Sequence, residues 1–146
     1  MKKLLFLLLA CLCFPASAWA GIGFYVTIQN RTTYPAAITY GGNDKWHCND
    51  FCGPQTVPAH ATKRFYTEGK GAVTGGGIQG INLSYGSITA RAEFWFGHHD
   101  YSVSHNIKLR ESSVGVGTTS DKVKTDLNFY PMEGTYGTAY VTLHLN

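Results

Sequence analysis

From residue 24 onward the chain keeps returning to a period of two between apolar and polar residues, the pattern of strands with one buried face. Phe24, Val26 and Ile28 alternate with Tyr25, Thr27 and Gln29, and Ile81, Leu83 and Tyr85 with Asn82 and Ser84. Ala90, Ala92, Phe94 and Phe96 alternate with Arg91, Glu93 and Trp95, while Ala139, Val141, Leu143 and Leu145 oppose Tyr140, Thr142 and His144. Further strands are expected at residues 36–40, 62–68, 101–110 and 124–130, with almost no competing helical spacing. About eight strands separated by Gly, Pro, Asn and Asp turns predict an all-β, single-domain sandwich of two sheets.

Three stretches read as connections: residues 41–58, the glycine-rich 69–80, and the Ser-, Thr- and Gly-rich 111–121. The glycine stretch is not a phosphate-binding loop. Gly75-Gly76-Gly77 leads into the strand at 81–85, whereas a phosphate loop opens a helix with a Lys-Ser/Thr pair.

The first twenty residues follow different rules. Lys2 and Lys3 precede an apolar run from Leu4 to Phe14, then Pro15, then small residues ending Ala18-Trp19-Ala20. That order predicts a secretory signal peptide over residues 1–20, cleaved before Gly21, and a domain over 21–146 that is secreted or periplasmic. The run is too short for a spanning helix, which takes roughly 20 apolar residues, so the expected product is soluble. Leu8-Leu9-Ala10-Cys11 loosely fits a lipid-attachment box, the alternative processing site.

Cleavage would change the composition that bounds function. It removes Lys2 and Lys3 from the twelve basic residues, leaving ten against nine acidic ones and a net charge of +1, too little to argue for nucleic acid. Cys11 and Cys13 leave as well, and the remaining pair, Cys48 and Cys52, is expected as a local disulfide.

His98, His99, Asp100 and His105 lie close in sequence, but their spacing matches no specific zinc pattern, and neighbours in a strand face opposite ways. They stand as candidate metal ligands against the reading of turn and surface histidines. Ser87, Ser102 and Ser104 lack a nucleophile setting, and Glu68 and Glu93 read as outward strand positions. The expectation is a non-enzymatic binder without a cofactor. Aromatics point the same way: Trp46, Tyr66, Trp95, Tyr101, Tyr130, Tyr136 and Tyr140 fall in loops or on the polar phase of strands. An apolar body with a polar tip suits a membrane interface or a sugar face. The alternative is that packing within the protein covers them.

The order of these segments resembles the actinoporin-like proteins, a β-sandwich superfamily that includes sea-anemone pore-forming toxins and fungal fruit-body lectins. The resemblance rests on Val26-Thr27-Ile28-Gln29-Asn30-Arg31-Thr32, Val57-Pro58 before Arg64-Phe65-Tyr66-Thr67, Gly80-Ile81-Asn82-Leu83-Ser84-Tyr85, Phe94-Trp95-Phe96, Asp100-Tyr101 with Asn106, and Gly137-Thr138-Ala139-Tyr140-Val141-Thr142-Leu143-His144. It implies recognition of phosphocholine headgroups through an aromatic loop and a tyrosine cluster, with Tyr101 at the Asp-Tyr position and Tyr130 in the cluster. The family's toxins carry an amphipathic helix before the first strand, whereas here Gly21 leads almost directly into a strand. His98-His99 and Ile107-Lys108 replace the family's Pro-Tyr and paired tryptophans, and Cys48 and Cys52 are additions.

The leading expectation is a binding module for membrane lipid headgroups or glycans, with Trp46, Trp95, Tyr101 and Tyr130 as contacts and a cytolysin-like toxin or effector as one form of it. A periplasmic protein-interaction module, an inhibitor or immunity protein working through residues 41–58 and 111–121, is the second reading. A metal-binding or hydrolytic protein using His98, His99 and His105 is the third.

Overall fold

In a computed structural model of the chain, residues 21–42, 46–70, 77–103, 107–131 and 137–146 are described. The expected signal peptide, Cys11, Tyr136 and His105 lie outside them. Among the described residues the alternating segments form ten strands: β1 (Gly21–Asn30), β2 (Ala36–Tyr40), β3 (Trp46–His47), β4 (Gln55–Val57), β5 (Thr62–Lys70), β6 (Gly77–Tyr85), β7 (Ile88–Val103), β8 (Ile107–Thr118), β9 (Val123–Pro131) and β10 (Gly137–Leu145). Sheet 1 has the order β3-β5-β1-β10-β9 and sheet 2 the order β4-β2-β6-β7-β8. The protein is a two-sheet β-sandwich.

The inward phase of each long strand supplies the core. Phe24, Val26 and Ile28 of β1 and Ala139, Val141, Leu143 and Leu145 of β10 are buried, and they face Ile81, Leu83, Ala92 and Phe94 of sheet 2. β1 and β10 pair in parallel from Ile22 opposite Gly137 to Asn30 opposite Leu145, so the two ends of the described domain meet in the middle of sheet 1. Asn30 closes one end of the sandwich. Its buried side-chain amide lies within hydrogen-bond reach of the carbonyls of Tyr34 (2.8 Å), Val57 (3.1 Å) and Pro58 (3.0 Å), and its Oδ1 accepts from the Thr32 hydroxyl at 2.7 Å. One polar side chain thus links β1 to β4 in the other sheet while satisfying backbone groups that burial would otherwise leave unpaired.

The connections differ most from expectation. Residues 41–58 contain β3, a 3₁₀ turn over Asn49–Phe51, and β4. Of residues 111–121 only 119–121 connect strands, because β8 continues to Thr118, with Val114 and Val116 packed on the core. Glycines 115 and 117 alternate with those valines, so the outward phase carries no side chain and the period is hard to see in sequence. The strand expected at 101–110 is instead divided between the end of β7 and the start of β8.

Candidate functional site

Period-two alternation puts Tyr25 on the outer face of sheet 1, and pairing register then brings further tyrosines beside it. Tyr25 stands opposite Tyr66 of β5 on one side and Tyr140 of β10 on the other, and Tyr130 of β9 is paired with Thr138, one outward position along from Tyr140. The rings touch in sequence across four strands. Centroids are 5.0 Å apart for Tyr66 and Tyr25, 5.3 Å for Tyr25 and Tyr140 at an interplanar angle of 15°, and 5.8 Å for Tyr140 and Tyr130, edge to face. Tyr140 is 40% exposed and Tyr130 60%. The Arg64 guanidinium covers the middle of the row, 4.6 Å from the Tyr25 centroid and 5.4 Å from that of Tyr140.

At one end of the row the backbone makes room for a ring. A Cβ at Gly23 would lie 3.1 Å from both Cε2 and the hydroxyl oxygen of Tyr66, so the missing side chain is what allows Tyr66 to lean over β1. There its hydroxyl donates to Glu68 Oε2 at 3.2 Å. Burial, followed by the neighbouring carboxylate, pushes the Tyr66 phenol up from 10.0 to about 12. Across the same face, His144 Nε2 lies 2.7 Å from Asp126 Oδ2 and its Nδ1 lies 3.0 Å from Gln29 Oε1, so the polar end of the face is also tied down.

The disulfide turn sets the position of β5. Cys48 and Cys52 are bonded, with Cα atoms 4.8 Å apart, and enclose the turn Asn49–Phe51. Phe51 is buried and stacks on Phe65, centroids 5.0 Å apart, while Asp50 Oδ2 accepts the backbone N–H of Tyr66 at 2.7 Å. β3 pairs with β5 at Gly69 and Glu68, so Asp50 satisfies a donor just beyond that short ladder. The two residues that define the end and the cap of the tyrosine row, Tyr66 and Arg64, sit on the segment so held.

The expected contact residues do not converge. Trp46 is 3% exposed and packs 5.0 Å from Phe24, because pairing with β5 turns it inward; it belongs to the core and not to an exposed loop. The Thr67 hydroxyl secures that strand, 2.7 Å from the His47 carbonyl and 3.0 Å from Gln79 Oε1 of sheet 2. Trp95 is 41% exposed but lies on the outer face of sheet 2, opposite the tyrosines. Tyr130 is therefore the one expected contact that the tyrosine row contains. Tyr101 is placed by its backbone on β7 opposite Leu109, and His98 and His99 on the same strand opposite Ser112 and Glu111. Among the described residues no three His, Cys, Asp or Glu side chains gather to hold a metal ion. The polar phase of Tyr25 on β1 is readable in the sequence, but its pairing with Tyr66 and Tyr140 is not.

No family model matches the chain, and no curated protein does. Six chains of solved structures match it. One is the crystal structure of IP-1A from Alcaligenes faecalis at 1.8 Å resolution, 12% identical, with a TM-score of 0.46, covering 88% of this chain and 94% of that one.

Proposed function

We propose that this is an exported, non-enzymatic binding protein that engages zwitterionic phospholipid headgroups at a membrane surface through the tyrosine face of sheet 1. One observation carries the reading: Tyr66, Tyr25, Tyr140 and Tyr130 form an unbroken row across four strands beneath a guanidinium. Tyrosine suits the boundary between hydrocarbon and water because its ring is apolar and its tip is not. A choline-type ammonium is attracted to an aromatic face, and Tyr130, the most exposed ring of the row, offers one. Arg64 lies over the rings of Tyr25 and Tyr140, and its guanidinium N–H groups are of the kind that suits a phosphate.

A glycan fits this face less well. Arg64 already lies over the rings of Tyr25 and Tyr140, which leaves Tyr130 alone in the row for a sugar to stack on. Recognition of a phosphocholine headgroup is also what the resemblance to the actinoporin-like proteins implies. Vesicle flotation tests the proposal. The protein is expected to bind phosphatidylcholine or sphingomyelin vesicles, and Tyr130→Ala and Tyr140→Ala each to weaken binding roughly tenfold, about 1.4 kcal/mol, without unfolding the domain. Wild-type protein that ignores both vesicle types, or variants that bind as tightly as wild type, would overturn it.

A further inference from the structure

Beyond the tyrosine row, toward the C-terminal ends of β1 and β10, sheet 1 carries two rows of polar residues on the same outward phase. The first is Arg64, Thr27, Thr142 and Asp126 across β5, β1, β10 and β9, and the second is Thr62, Gln29, His144 and Lys124. The His144 side chain is 15% exposed, so its ring contacts are largely shielded from water.

Both ring nitrogens of His144 face oxygen. Nε2 lies 2.7 Å from Asp126 Oδ2 on β9, and Nδ1 lies 3.0 Å from Gln29 Oε1 on β1. An ionised carboxylate oxygen can only accept. The Gln29 oxygen is fixed as an acceptor too, because Arg31 Nη2 donates to it at 3.1 Å. A neutral imidazole has one N–H and fills one of these contacts, whereas the imidazolium has two and fills both. Turning the Gln29 amide to offer an N–H to a neutral ring would forfeit the bond from Arg31.

The charges around the ring oppose one another. Asp126, the single carboxylate in the two rows, favours a proton on His144, while Lys124 directly opposite and Arg31 beside Gln29 disfavour it. Arg64 is one row away and lies over the rings of Tyr25 and Tyr140, and Thr27, Thr62 and Thr142 carry no charge. The count of hydrogen bonds, two against one, therefore decides which form of the ring this arrangement holds.

We propose that His144 is a proton-operated clamp on the lipid-binding face, which ties both β9 and β1 to β10 when protonated and releases one of them when neutral, so that membrane binding strengthens on acidification. β9 carries Tyr130, the most exposed ring of the row, and lies at the sheet edge with β10 as its ladder partner, so a side-chain tie from Asp126 to His144 adds to its hold. β1 carries Tyr25, in the middle of the row. The tie is complete below the ordinary histidine range, about 6.5, and is lost as pH rises through it. The effect on binding rests on the tyrosine face being the membrane site; the clamp itself does not.

Two measurements test this at about pH 5.5 and about pH 8.5, on either side of that range. In urea denaturation without lipid, His144→Gln is expected to lose more stability relative to wild type at the lower pH than at the higher. In flotation with phosphatidylcholine vesicles, wild type is expected to bind about threefold more tightly at the lower pH, the scale of a partly exposed ion pair, and His144→Gln to lose that difference. Asp126→Asn should shrink both effects, and it carries the test if His144→Gln does not fold. Equal destabilisation of His144→Gln at the two pH values, or a pH response in vesicle binding that survives in the folded variant, overturns the proposal. Absence of vesicle binding at either pH overturns the membrane reading and the binding half of this proposal, and the urea comparison then decides the clamp by itself.

Discussion

The outer faces of sheet 1 and sheet 2 are built on the same pleated backbone, and both use glycine to let a long side chain lie across a neighbouring strand. On sheet 1, Gly23 admits the ring of Tyr66; on sheet 2, Gly80 admits the guanidinium of Arg91. The surfaces that result are unlike. Sheet 1 places large rings at successive cross-strand positions, and they pack into a continuous aromatic surface with a cation on top. Sheet 2 places Thr, Ser and Asn at the corresponding depth, and the surface sinks into a trough bordered by an arginine whose charge is matched. Cross-strand neighbours, more than the fold, decide what each face can recognise.

That contrast is most severely challenged from inside the core that both faces share. Phe24 is fully buried, 5.0 Å from Trp46 and 6.1 Å from Phe94 of sheet 2. Phe24→Ala should cost about 3–5 kcal/mol in urea denaturation and loosen both faces together. If sheet 1 kept its full vesicle binding under conditions that unfold sheet 2, the two would not rest on one cooperative core.

A smaller change should separate the faces. Replacing Cys48 and Cys52 with alanine should cost about 2 kcal/mol by chemical denaturation. Because the disulfide turn supplies Asp50 to the Tyr66 backbone, vesicle binding should fall as well. Undiminished vesicle binding by the folded double variant would show that the turn supports the domain and not sheet 1 in particular.

The smallest effect is electrostatic. The Tyr66 phenol has a higher pKa in the folded state, about 12, than the 10.0 of an ordinary tyrosine. Between those values the folded protein keeps a proton that the unfolded chain releases. The associated stability is therefore complete below pH 10 and is lost as pH rises toward 12, attenuated by the partial exposure of the ring. Glu68→Gln should return the Tyr66 titration only part of the way toward 10.0, since burial is the larger cause, and ultraviolet difference titration would read it. Trp95→Ala, on the other face, should not move that titration.

Much of this molecule was legible in its alternation. Residues 36–40 were expected as a strand and form β2, and the inward phases of β1, β6 and β10 were assigned correctly because each carries large apolar residues at every second position. Where that signal is thin, the strands leave no trace in the sequence. β3 and β4 span two and three residues, too few to show a period. The end of β8 hides its period behind outward glycines. Trp46 reads as a loop aromatic because nothing in its own neighbourhood in the sequence reveals that β5 lies beside it. The tyrosine row was half visible: Tyr66, Tyr130 and Tyr140 stood out on polar phases, but their convergence depends on β1 pairing in parallel with β10 from the far end of the chain. No local pattern encodes that register.

The most direct test of the central claim is a paired vesicle-binding measurement on two single variants, one from each face. Tyr140→Ala and Trp95→Ala, both confirmed as folded, would be compared with wild type on phosphatidylcholine and sphingomyelin vesicles by flotation. Tyr140→Ala is expected to bind roughly tenfold more weakly, and Trp95→Ala to show none of that loss. Undiminished binding by Tyr140→Ala, with the loss appearing in Trp95→Ala instead, would contradict it.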